Sequence, residues 1–203
     1  MDRSPLDKAA TTDKALLRRE GIARREALAA DARAAASARI VERLLAMPEV
    51  AAARVVAGYW PMRAEVDPRA AFAPLVARGI ALALPFVADP TLVFRAYAPG
   101  DALVRGPFGV EAPGEGAPAV RPDLLLVPLA RFDRACHRIG YGKGHYDRAL
   151  AALSEKGPVV AIGLAFAVQE AQTVPAEDHD RALDAVITED EVLRASGSGG
   201  RTR

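Results

Sequence analysis

DLLLVPLARFDRACHRIGYGKGHYDRALAALSEKGPVVAIGL, residues 123–164, decides the fold class. Residues 123–127 and 159–164 are continuous apolar runs, the pattern of strands covered on both faces. A helix is predicted between them, from 145 to about 153. Strand, helix and strand in that order form the unit of a parallel sheet. The alternation extends outward. Residues 54–60 (RVVAGYW), 80–84, 92–97 and a short 185–187 read as further strands. Asp67-Pro68 opens a helix to about residue 78, with Pro74 inside it. Two helices come earlier. The first, 13–29, has apolar Leu17, Ala23, Ala27 and Leu28 and a basic exposed face of Lys14, Arg18, Arg19, Arg24 and Arg25. The second, 32–47, has Asp31 as N-cap and a stripe of Ala36, Ile40, Leu44 and Met47, with Pro48 ending it. Residues 98–122 read as one long Gly- and Pro-rich loop. The expectation is a single α/β domain over 13–192 with a mainly parallel sheet. A loose polar segment, 1–12, and a low-complexity tail, 193–203, flank it.

Composition narrows the function. The chain has 203 residues with 27 basic and 26 acidic side chains, so no bulk field recruits nucleic acid or an anionic membrane. An anion site must therefore come from local arrangement. One cysteine, Cys136, excludes an intramolecular disulfide framework and a cysteine-rich zinc site. It fits a reducing compartment. Its place near the glycine loop allows a reactive thiol, but a bystander is the plainer reading, because nothing nearby depresses its pKa. The first residues carry no apolar core of a secretory leader, and no apolar run approaches the ~20 residues that span a bilayer. A soluble cytoplasmic protein is expected.

Four groups of residues could carry chemistry. Gly140, Gly142 and Gly144 alternate with Tyr141 and Lys143 ahead of a helix. Such glycines admit a ligand close to the backbone, and a helix N-terminus favours phosphate. Lys143 and Arg138 add charge. The spacing is neither a P-loop nor a dinucleotide fingerprint, and a plain turn stays possible. Asp147, on the first helical turn, either stabilises the helix dipole or contacts Mg²⁺, with Asp180 as the second carboxylate. Lys14 and Arg18, four apart, share a helix face that is either solvated or ligand-binding. Glu65 follows a strand, where ligands of open α/β sheets bind, or is a loop charge. His137, His145 and His179 do not have the spacing of a shared metal site.

Four segments in order resemble 5-formyltetrahydrofolate cyclo-ligases, also called methenyltetrahydrofolate synthetases. PLARFDRACHRIGYGKGHYDRAL (128–150) is similar to the family signature, with Phe132-Asp133 and then Arg138 through Asp147. Lys14 and Arg18 match its Lys-x-x-x-Arg opening. YWPMRAEVD (59–67) resembles its substrate-binding stretch, with Glu65 as the acid. GLAFAVQEAQTVPAEDHDRALDAVITE (163–189) resembles its C-terminal pattern, including Gln169, Pro175, His179-Asp180 and Asp184. Two positions depart: His145 stands where many members have Tyr or Phe, and Lys143 where Gly or Ala is also common.

The resemblance implies a Rossmann-like three-layer sandwich of the NagB/RpiA/CoA-transferase-like kind. It implies an ATP- and Mg²⁺-dependent ring closure of 5-formyltetrahydrofolate. Lys14, Arg18, Arg138 and the loop from Gly140 through Tyr146 would hold ATP, with Arg138 and Lys143 neutralising developing charge. Trp60, Glu65, Phe108, Tyr141, Gly142, Lys143, Gly144 and His145 would hold the folate. Asp147 and Asp180 would place Mg²⁺. A monomer without nucleic-acid or membrane partners is expected. Two other readings remain: a transferase or isomerase for phosphorylated substrates on the same scaffold, and a non-catalytic folate- or nucleotide-binding relative.

Overall fold

The computed structural model describes residues 5–175 and 181–195. Its helices are α1 (Pro5–Glu26), α2 (Ala30–Leu45), α3 (Pro48–Ala51), α4 (Phe72–Ala77) and α5 (His145–Glu155). The strands are β1 (Val55–Ala57), β2 (Ala81–Ala88), β3 (Thr91–Tyr97), β4 (Leu103–Arg105), β5 (Glu111–Pro113), β6 (Leu124–Pro128), β7 (Arg131–Phe132), β8 (Arg138–Ile139), β9 (Val160–Leu164), β10 (Ala185–Ile187) and β11 (Val192–Arg194). Seven of them form one sheet in the order β11-β10-β9-β6-β1-β2-β3. The five inner strands are parallel and each edge strand is antiparallel to its neighbour.

The middle of that sheet is β6. Leu124, Leu125, Leu126 and Val127 are all fully buried, because successive side chains of a strand point to opposite faces and both faces here are covered. Leu124 and Leu126 join Ile40, Leu44, Val50 and Leu75 from α2, α3 and α4. Leu125 and Val127 join Phe132, Ala149 and Leu150 on the α5 side. The result is three layers, helix–sheet–helix, as expected. From β1 the chain passes through α4 to β2 and β3 on one side. It then returns to β6, β9 and β10 on the other. The order reverses between β1 and β6, and open α/β sheets bind ligands outside the carboxyl ends of such strands.

Several local expectations shift. The first helix begins at Pro5 and ends at Glu26, so it covers residues read as loose and stops short of Leu28. Its inward face is also different. Leu17, Gly21 and Arg25 face the protein, while Ala23 and Ala27 are exposed. Gly21 decides this: a Cβ there would lie 2.1 Å from the Ala130 carbonyl oxygen. The helix approaches residues 130–131 through the absence of a side chain, which an apolar stripe does not reveal. Arg25, read as solvent-facing, is only 1% exposed.

Asp31 is not the N-cap of α2. Ala29 is, and Asp31 lies in the first turn, where it complements the helix dipole. Pro48 opens α3 at the first helical positions, and Met47 is its N-cap. The segment after Asp67-Pro68 is a 3₁₀ turn, Arg69–Ala71, leading into α4. Pro74 is thereby in the first turn of α4, where no amide is needed. The loop 98–122 contains the β4–β5 ribbon, and the segment before the glycine loop contains the β7–β8 ribbon. Leu193 and Arg194, assigned to the tail, belong to edge strand β11. There Arg194 pairs with Glu49.

Candidate active site

A cleft of about 600 Å³ opens at the carboxyl ends of β1 and β6, a size typical of small-molecule sites. Lys14 and Arg18 reach it from α1, Trp60 and Glu65 from the stretch after β1. Arg138, the loop Gly140, Tyr141, Gly142, Lys143 and Gly144, and then His145, Tyr146 and Asp147 line the rest. All these positions, proposed from scattered segments, thus converge on one space. Two others are not placed. Asp180 lies outside the described residues, as does the side chain of Phe108, whose backbone forms the 3₁₀ turn Pro107–Gly109.

One end of the cleft is built on a buried carboxylate. Glu65 is 8% exposed. Its Oε2 accepts the Met62 amide at 2.8 Å, and its Oε1 accepts the Tyr141 hydroxyl. Burial lifts the Glu65 pKa above the ordinary 4.5, against the opposing pull of Met62, Tyr141 and Arg25. The same burial raises Tyr59, Tyr141 and Tyr146, so all three phenols stay protonated. Tyr59 donates to the Val66 carbonyl at 2.8 Å and fixes the 59–66 turn that presents Glu65. Trp60 is backed by the edge of Tyr97 at 6.3 Å, and the Arg69 guanidinium lies 4.9 Å from its ring centre.

The other end is cationic and built on backbone. Gly142 and Gly144 have φ of 87° and 64°, in the left-handed region, and Gly144 is also the N-cap of α5. The first amides of that helix have no intrahelical acceptor and point outward. Arg18 Nε donates to the Gly140 carbonyl at 2.7 Å. A Cβ on Gly142 would sit 3.2 Å from the Arg18 guanidinium, so glycine there serves both conformation and close approach. Arg138 donates to Asp147 Oδ1 at 2.6 Å and to the Arg181 carbonyl at 2.7 Å. Arg148 donates to the carbonyls of Lys143 and Pro90, both at 2.5 Å, and so ties the loop to the β2–β3 turn. His145 Nε2 lies 3.4 Å from Asp89 Oδ1 at that turn.

Behind the loop, two buried side chains set its path. Asp133 accepts the amides of Ala135, His137 and Val174 at 3.0 Å each. It also faces His137 Nδ1 at 3.1 Å. Gln169 donates to the carbonyls of Leu129 and Ala130 and accepts the Phe166 amide. Cys136 lies in this layer. Burial pushes its thiol up to about 11, which makes it unreactive at neutral pH.

The donors suit a nucleotide and a single metal contact. Two arginines, two lysines and the first amides of α5 fit phosphate oxygens. Among the described residues, no three His, Cys, Asp or Glu side chains converge. Asp147 supplies one carboxylate whose Oδ1 is engaged by Arg138. That fits Mg²⁺, which takes one or two carboxylates and completes its shell with phosphates and water.

The model of the 5-formyltetrahydrofolate cyclo-ligase family matches residues 10–189. The chain belongs to this family. A solved structure of 5,10-methenyltetrahydrofolate synthetase from Aquifex aeolicus is similar, with a TM-score of 0.78 and 30% identity over 94% of this chain and 95% of that one. A cyclo-ligase from Haemophilus influenzae is 28% identical, covering 71% of this chain and 80% of its own. One from Mycolicibacterium smegmatis is 32% identical, covering 66% and 73%.

In this cyclo-ligase cleft Tyr59 and Arg148 were not anticipated, nor was Arg25 behind Tyr141. Arg25 had a signal: it lies seven residues after Arg18, two helical turns along the same face, with Gly21 between them. Tyr59 and Arg148 had none, because their partners are the backbone carbonyls of Val66, Lys143 and Pro90, which no side-chain pattern marks.

Proposed function

We propose that the protein closes 5-formyltetrahydrofolate to 5,10-methenyltetrahydrofolate with ATP, releasing ADP and phosphate. The observation that carries this is the pairing of two unlike regions in one cleft. A buried acceptor-only carboxylate, Glu65, stands at one end, and an α5 N-terminus among four cations stands at the other. The first suits the N–H edge of a pterin and the second suits a triphosphate.

The chemistry asks the protein for position and charge. The formyl oxygen attacks the γ-phosphorus and ADP leaves. N10 then attacks the activated carbon, its proton is lost to the departing phosphate or to water, and phosphate leaves. Holding two reactants in line supplies much of such a rate. Glu65 and Trp60 fix the folate. Amides of Gly142 through Tyr146, with Lys14 and Arg18, fix the phosphates. Arg138 and Lys143 meet the charge that builds on the transferring group. Arg138 is aimed by Asp147 and the Arg181 carbonyl. Mg²⁺, with Asp147 as its carboxylate, would offset charge between the phosphates. Asp180 and Phe108 complete the reading by resemblance alone.

Purified protein given MgATP and 5-formyltetrahydrofolate should develop the near-ultraviolet absorbance of the methenyl product. Folded protein that leaves the absorbance flat with both substrates would overturn the proposal.

A further inference from the structure

Arg25 stands outside every motif that pointed to the site, and yet it bonds a residue that lines the cleft, Tyr141. Its guanidinium is 1% exposed on the inward face of α1. One terminal nitrogen donates to the Tyr141 hydroxyl at 2.5 Å. The other donates to the Leu129 carbonyl at 3.3 Å. Among the described residues its Nε has no hydrogen-bond partner. Burying a charge with an orphaned donor is expensive, and an apolar side chain of the same length would seat α1 with less cost. The arginine therefore calls for a reason beyond packing.

Hydrogen-bond direction supplies one. Arginine has only donors, so the Tyr141 oxygen must accept from it. The single phenolic proton is then left to point at Glu65 Oε1, where Tyr141 donates. The chain runs one way, from Arg25 through Tyr141 to Glu65. Glu65 receives a proton-rich neighbour on Oε1 and the Met62 amide on Oε2. Its remaining lone pairs face the cleft as acceptors.

We propose that Arg25 is a positioning residue for the folate-binding acid: it locks Tyr141 as a donor and so holds Glu65 as an ionised acceptor. This rests on the reading of Glu65 as the folate contact. The titratable groups facing Glu65 are Arg25 from α1, Tyr59 after β1, Tyr141 of the loop and Tyr146 of α5. The three phenols stay neutral, so Arg25 is the charge among them that favours the carboxylate.

The test is a carboxyl-carbon NMR titration of Glu65 in ligand-free protein, paired with steady-state kinetics. R25M should raise the Glu65 midpoint by about one pH unit. Y141F should raise it similarly, R25K should recover part of the shift, and R25M/Y141F should exceed neither single variant. In kinetics, R25M should raise KM for the folate roughly tenfold and leave KM for ATP within about twofold. An unmoved midpoint in both R25M and Y141F, in folded protein, overturns the inference. Parallel loss of both substrates with additive effects does the same, because it marks Arg25 as a helix anchor only. A shifted midpoint with unchanged folate KM upholds the chain from Arg25 to Glu65 and refutes Glu65 as the folate contact.

Discussion

The two ends of the cleft solve the same problem, placing charge where a ligand will meet it, by opposite means. At the end proposed to take the folate, the charge is buried before any ligand arrives. Glu65 is tied on both oxygens, its pKa is lifted by desolvation, and an arginine two residues removed in the hydrogen-bond chain offsets it. At the other end Lys14, Arg18 and Lys143 stay nearer water, and only the Arg138 side chain is comparably buried. The cations there hold carbonyls and one another's loops, as Arg18 holds Gly140 and Arg148 holds Lys143. A neutral heterocycle needs a fixed acceptor, so rigidity is built in beforehand. A tetra-anion brings its own field, so the protein needs only a shaped backbone and nearby cations.

The largest effect should come from breaking the buried end. Glu65→Gln removes a hydrogen-bonded buried charge, and kcat/KM for the folate should fall about 100-fold, or ~3 kcal/mol. KM for ATP should barely change. Stability should respond with the opposite sign. The Glu65 pKa is raised on folding, so the folded state favours the protonated form. Its ionisation therefore costs stability above the raised pKa, and that cost is relieved as pH falls toward 4.5. Wild type should gain thermal stability relative to Glu65→Gln over that window. Parallel melting curves across it would remove the strain assigned to Glu65.

Next comes the backbone of the open end. Gly142→Ala places a Cβ at φ 87° and within 3.2 Å of the Arg18 guanidinium. The left-handed conformation alone costs about 1–2 kcal/mol. KM for ATP should rise roughly 20-fold with little change for the folate, readable in a two-substrate kinetic matrix. Lys143→Ala keeps that backbone and removes one charge, so a smaller rise, about tenfold, is expected. Equal loss of both substrates in Lys143→Ala would make the lysine a folding element.

The difference between the ends also explains what was legible in the chain. The phosphate end is mostly local: glycines, Lys143 and helix start lie within residues 138–147 and their order carries the meaning, while Lys14 and Arg18 arrive from α1. The layered fold was legible for a similar reason, since the unbroken Leu124–Val127 run, short and set in an alternation of strands and helices, is typical of a strand covered on both faces. The folate end is non-local. Arg25 and Glu65 meet at Tyr141 from three distant segments, and Gly21 lets the helix approach by lacking a side chain. Hydrophobic periodicity ranks Gly21 and Arg25 as outward positions, so it turned α1 the wrong way. Asp133 could be matched as part of a motif. Its role in gathering the amides of Ala135, His137 and Val174 needed the β7–β8 ribbon, whose strands are two residues each and leave no periodic trace.

The smallest effect should separate the two duties of Asp147. Its carboxylate accepts from Arg138 at 2.6 Å, and in the proposed function it also meets Mg²⁺. Asn keeps an oxygen that can accept from Arg138 but carries no charge. If aiming Arg138 is its only duty, Asp147→Asn should leave the magnesium dependence unchanged. If the carboxylate also contacts the metal, the Mg²⁺ midpoint at fixed ATP should rise about three- to fivefold, or ~1 kcal/mol, with KM for the folate unaltered. The arginine partner makes the effect modest, because losing one negative charge also leaves Arg138 freer to meet a phosphate. A magnesium titration that superimposes on wild type would assign Asp147 wholly to Arg138 and place the metal on phosphate oxygens and water.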